Sequence, residues 1–250
     1  MRARLVLLPA IVLALVSPLT VRATSDGTAV DQPEPAVARP LFAKSAQYPL
    51  LPRALEVELA LSAAPKHLRE GATVWVLEQS GYTKMKEGTN AFSCLVSRRS
   101  GDVFPVCWDA EGARSLLPIE FDDAQLRLSG KSTAEIDELV DQRFKQGQYR
   151  PPARAGIAYM LAPLRFRIDE AGKVTRTPSS PHLMFYGPNL TDSDIGGARG
   201  SLVFINRVGP DGMMIVPVGQ KEREAILGES QALIAQVEHA IGYQSAREVR

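Results

Sequence analysis

Three histidines are the only side chains of this 250-residue chain that ordinarily titrate near neutral pH. His67 follows Pro65 in a polar stretch, and His239 stands beside Glu238 in a C-terminal helical pattern. Both are expected to be solvated. His182 is placed differently. It follows Thr177-Pro178-Ser179-Ser180-Pro181 and opens the apolar run Leu183-Met184-Phe185-Tyr186, so the pattern predicts an imidazole at a strand end where loops gather. To act as a general base there, it needs a carboxylate or a backbone carbonyl on its second ring nitrogen to fix the tautomer. The alternative is a structural histidine that hydrogen-bonds its surroundings.

Other motifs suggest chemistry and lose it on inspection. Gly130-Lys131-Ser132 resembles the end of a phosphate loop, but the glycine required five residues before Gly130 is Gln125, and Ser132 is better explained as a helix cap. Asp192-Ser193-Asp194 with Gly197 opens like a calcium loop, yet the final bidentate glutamate is replaced by Val203. A polar turn is expected. No G-x-S-x-G elbow is present, and no S-x-x-K stands at a plausible helix start. Met184, Met213 and Met214 with His182 make a donor set suited to copper(I), but Met184 and Met214 are more simply explained as alternating into a core. No cofactor or metal is therefore expected.

The N-terminus has the form of an export signal. Arg2 and Arg4 precede an apolar stretch from Leu5 to Leu19, and Val21-Arg22-Ala23 offers cleavage after Ala23. Pro9 and Pro18 interrupt that stretch, and it is shorter than the roughly 20 apolar residues a membrane span needs. Residues 1–23 are thus expected to be a signal peptide, and the mature protein to be secreted or periplasmic with no stable membrane insertion. Losing Arg2, Arg4 and Arg22 leaves 26 basic residues of the original 29 against 28 acidic ones. No basic stripe stands out, which argues against nucleic acid as a partner. The two cysteines, Cys94 and Cys107, form an even pair in an exported chain and so suggest a disulfide; two reduced buried thiols are the alternative.

Around these residues the elements can be read from periodicity. Residues 24–49 carry Pro33, Pro35, Pro40 and Pro49 and predict a flexible linker, with a single domain over 50–250. Leu51, Leu55 and Leu59 predict a helix ending at Pro65. Thr73–Leu77, Tyr82–Lys86 and Ala91–Ser97 predict three strands of an antiparallel meander, the last carrying Cys94. A short helix is expected over Asp109–Leu117, stopped by Pro118, and a longer one from Ser132, where Ser132 and Glu135 form a capping box. Strands follow over 156–161, 164–168, 173–177 and 182–186, with a turn at Asp169-Glu170-Ala171-Gly172. A hairpin joins 202–208 to 213–218, and a last amphipathic helix runs over Glu222–Ile241. The fold class is α+β: a mostly antiparallel sheet flanked by helices.

In this order the motifs resemble a family of uncharacterised exported bacterial proteins without assigned activity. The resembling stretches are Glu87-Gly88-Thr89-Asn90-Ala91-Phe92-Ser93-Cys94, Pro105-Val106-Cys107, Gly156-Ile157-Ala158-Tyr159-Met160-Leu161, Pro181-His182-Leu183-Met184 and Gly212-Met213-Met214-Ile215-Val216-Pro217-Val218. This chain departs where such proteins often carry a glycine- and asparagine-containing loop, since Ala162-Pro163-Leu164 runs straight on. The resemblance implies export and a bonded Cys94–Cys107 pair, and it implies no reaction.

Two functions are compatible with these features. The first is a non-catalytic exported domain that binds a small molecule or an envelope component. The second is a hydrolase or isomerase in which His182 is the general base and Asn90 or Tyr159 orients the substrate. The absence of an assembled nucleophile or cofactor fingerprint favours the first. A single pocket lined by His182, Asn90 and Tyr159 would favour the second.

Overall fold

Strands β1 (Thr73–Glu78) and β2 (Gly81–Lys86) form the expected antiparallel hairpin, but β3 (Ser93–Ser97) does not continue it as a meander. In the computed structural model, which describes residues 50–169, 173–177, 179–198 and 200–243, β3 lies on the other side of β1 and runs parallel to it, Val74 facing Cys94. The loop before β3 explains the change. Thr89 and Asn90 donate their backbone N–H groups to the Gly71 carbonyl, and the Asn90 side chain donates to Leu68 and accepts from Phe92 N–H. The chain is thereby carried back to the start of β1. Gly88 has to be glycine, because a Cβ there would stand 2.3 Å from Thr73 N and 2.5 Å from Gly71 O.

A strand not expected from the sequence, β4 (Asp102–Trp108), follows antiparallel to β3 and sets Cys107 directly opposite Cys94. The two are joined as a disulfide. Strand β4 is where the sheet forks. Its last residues, Cys107 and Trp108, pair with β5 (Ile157–Met160), and its first, Asp102 and Val103, pair with β6 (Phe166–Ile168). Beyond β5 the sheet continues through β8 (His182–Tyr186) and β10 (Met213–Pro217) to β9 (Phe204–Arg207); beyond β6 it ends in β7 (Val174–Arg176).

Helices cover both faces. Helix α1 (Arg53–Ser62), followed by the short α2 (Lys66–Arg69), packs with the C-terminal part of α6 (Gln220–Ala240) on one face. There Leu59, Ala60, Leu233 and Val237 meet Val74, Val96, Cys94 and Phe166. Helices α3 (Ala110–Ser115), α4 (Leu117–Leu128) and α5 (Thr133–Lys145) close the other face, with Ile119, Ile136 and Val140 against Leu95, Val106 and Trp108. Pro118 does not stop a helix as expected. It lies in the first turn of α4, where a missing N–H removes no intrahelical bond. The Ser132–Glu135 capping box starts α5 as read from the sequence.

The architecture is α+β, a ten-stranded, mostly antiparallel sheet between helices. Over β5, β8 and β10 alternate residues are buried, whereas Ile157, Tyr159, Leu183, Phe185, Met214 and Val216 stay partly exposed on the opposite face. The signal expected at 1–23 and the linker expected at 24–49 lie outside the described residues, as does most of the turn expected at 169–172.

Candidate functional site

The fork leaves a cleft of about 420 Å³ over the face that carries Met160, His182 and Met184. Its floor is built by strand alternation. Met160 on β5 faces His182 on β8, Met184 follows two residues on, and Met213 and Ile215 on β10 add to the same surface. Phe104 and Phe204 extend the apolar area from β4 and β9. Charged residues form the walls. Arg99 and Ser100 come from the turn between β3 and β4, Glu120 from α4, Arg165 from the approach to β6, and Arg207 and Asp211 from the β9–β10 hairpin.

His182 stands at the rim of this floor, partly buried. Its Nδ1 lies 2.7 Å from the Ser180 carbonyl, a bond that requires Nδ1–H and leaves Nε2 as the bare nitrogen. Burial pushes the imidazole below its ordinary range; the Ser180 carbonyl opposes that shift and the Arg165 guanidinium adds to it. The ring is therefore neutral at neutral pH, with one basic nitrogen.

The opposite wall is a buried ionic network. Asp211 accepts from Arg99 at 2.5 Å and Arg207 at 2.8 Å. Burial works against that carboxylate, yet the two guanidinium groups outweigh it and hold Asp211 below the usual range. Glu120 has only a hydroxyl as partner, accepting from Ser97 Oγ at 2.6 Å. Burial pushes its carboxyl up to about 7 despite the nearby Arg99 charge, so it is half-protonated at neutral pH. Arg165 donates to Asp102, which also takes two bonds from Arg167.

The residues expected to act with His182 are not beside it. Tyr159 is on β5 but on the reverse face, where its ring meets Phe92 at 5.7 Å. Asn90 is in the β2–β3 loop with both ends of its amide bonded to backbone. The grouping of His182 with Asn90 and Tyr159 is therefore corrected: side-chain alternation turns Tyr159 away, and loop closure takes up Asn90. His67 and His239 are exposed. Of the methionines, Met184 and Met213 do share the cleft with His182, joined by Met160, whereas Met214 points to the other face. Asp192 accepts from Ile205 N–H, and Asp194 accepts from the Thr191 backbone and hydroxyl, so both carboxylates organise a turn.

Sequence reasoning missed Arg99, Glu120, Arg165 and Asp211. Glu120 has no local signature, since nothing in a helix sequence marks which glutamate will be enclosed. For Met160 there was a signal: its alternation within Ile157–Met160 and the matching alternation after His182. Comparison with protein-family models, with curated proteins and with solved structures finds no match. Among the described residues no helix is long and apolar enough to cross a membrane.

Proposed function

We propose that this chain is an exported domain that binds a small organic molecule in the cleft at the sheet fork. The observation that carries the reading is the composition of that cleft. An apolar floor of methionine, isoleucine and phenylalanine is bordered by a few fixed polar groups, at a volume within the range of small-molecule sites. Methionine floors adapt to ligand shape because the thioether side chain is unbranched and polarisable. Export is supported by the signal pattern at residues 1–23 and by the bonded cysteine pair, which belongs to oxidising compartments.

The alternative of a hydrolase or isomerase has one observation in its favour, the basic Nε2 that the Ser180 bond leaves on His182. It lacks a second group: Asn90 and Tyr159 are engaged elsewhere. Binding is the stronger reading.

The test is a thermal-shift screen of the mature protein against small metabolites, with hits mapped by methionine-methyl NMR. Cleft binding is expected to move Met160, Met184 and Met213 and leave Met85 and Met214 in place. A screen without hits, or hits that perturb only Met85 or Met214, would count against it.

A further inference from the structure

Five buried side-chain polar atoms lack a hydrogen-bond partner among the described residues, and all five are N–H donors. Three belong to residues that line the cleft: Arg99 Nε, Trp108 Nε1 and Arg165 Nε. Buried donors are nearly always satisfied in folded proteins, so the residues bordering the cleft carry donors in excess of acceptors, which suits a ligand that brings acceptor oxygens.

The acceptors already in the cleft are committed. Asp102 is held by Arg165 and Arg167, and Asp211 by Arg99 and Arg207. Glu120 takes the Ser97 hydroxyl in surroundings that favour its neutral form. Both aspartates are thus already matched by two arginines each. Arg165, by contrast, has donors to spare. Its side chain is 40% exposed, and among the described residues only its bond to Asp102 engages the guanidinium, which lies 5.9 Å from the Phe104 ring centre. Its charge also opposes a positive charge on His182. A soft cation such as copper(I) would find thioethers here, but against that field.

Resting on the small-molecule reading above, we infer that the ligand is an amphipathic anion. It is an organic carboxylate whose head sits between Arg165 and His182 and whose apolar body lies over Met160, Met184 and Ile215. A guanidinium suits a carboxylate because its planar fork of donors matches two oxygens. Burial is the main reason the His182 ring stays neutral, and a carboxylate beside it would offset the smaller, unfavourable contribution of the Arg165 charge.

The experiment uses probes with one decyl chain and different heads: decanoate, decan-1-ol and decyltrimethylammonium, with acetate as the head alone. Binding to the mature protein is read by calorimetry and by the fluorescence of Trp108, which lines the cleft. Decanoate is expected to bind about ten-fold or more tighter than the alcohol, the margin of a charge-assisted pair. The cation and acetate are expected to bind weakly. Arg165→Gln should bring decanoate down to the level of the alcohol measured on the same variant, and Arg165→Lys should recover part of the preference. Alcohol or cation binding as tightly as decanoate overturns the anion inference and leaves the small-molecule reading intact. Acetate binding as tightly as decanoate removes the role of the apolar floor. No binding by any probe, with no hit in the wider screen, removes both.

Discussion

Tyr159 and His182 stand on adjacent strands one residue out of register, and that single step puts them on opposite faces of the sheet. In the β5–β8 ladder Tyr159 faces Leu183 and Met160 faces His182. Side chains alternate with a period of two, so His182 shares a surface with Met160 and Met184, never with Tyr159.

His182 should appear in ¹⁵N spectra at neutral pH as the neutral Nδ1–H tautomer, titrating below the ordinary imidazole range. His182→Asn should cost about 1 kcal/mol of stability or less, the worth of one hydrogen bond. The same change should weaken decanoate binding clearly, with His67→Asn as the silent control, because His67 is exposed on α2. Equal effects from the two substitutions would remove His182 from the site.

Glu120 should make stability depend on pH. Folding raises its carboxyl from 4.5 to about 7, so the folded state holds the proton more tightly than the unfolded chain. Its favourable contribution is complete below the unfolded value and is lost as pH rises through about 7. Glu120→Gln keeps an acceptor for Ser97 and removes the titration. Urea unfolding at about pH 5 and about pH 8 should show wild type losing stability relative to the variant at the higher pH. Parallel pH dependence in the two proteins would contradict this.

The Glu56–Arg98 pair is enclosed, each side chain only 1% exposed. Arg98 donates two bonds to Glu56, at 2.9 and 3.0 Å, while Glu56 also accepts from Leu77 N–H. Arg98→Met leaves a buried carboxylate without its counter-charge and should cost about 3–5 kcal/mol in urea unfolding. Adding Glu56→Gln should recover part of that loss, since glutamine is uncharged and still accepts from Leu77. A loss in the single variant below about 1 kcal/mol would mean that the pair is solvated.

The Cys94–Cys107 bond closes a short loop, with a sequence separation of 13. By the chain-entropy relation it should contribute about 3 kcal/mol, read as the destabilisation of the Cys94→Ala/Cys107→Ala protein. Thiol titration of denatured, unreduced wild type should find none free. Two titrating thiols would refute the bond.

The sequence by itself determined the elements whose causes are local. The strand at His182–Tyr186, the β9–β10 hairpin and the capped start of α5 all rest on alternation, turn residues or a side chain that bonds a backbone N–H three residues away. The compatible pair of cysteines was legible for the same reason, as types and count. Strand β4 was not read from the sequence; Pro105 within it sits between the stretches that pair with β6 and with β5, a place where a residue without an N–H is tolerated. Pro118 was taken for a stop and is a first-turn residue.

Only the tertiary structure decided the strand order, the parallel pairing of β1 with β3, and the cleft. Those depend on contacts that no local pattern encodes. Arg99 meets Asp211 across 112 positions of sequence, and Arg165 meets Asp102 across 63. An arginine or glutamate has the same appearance in a sequence whether it ends in water or in a wall. Its charge state, its partner and its use are fixed when the sheet forks and the burial of those few side chains is settled.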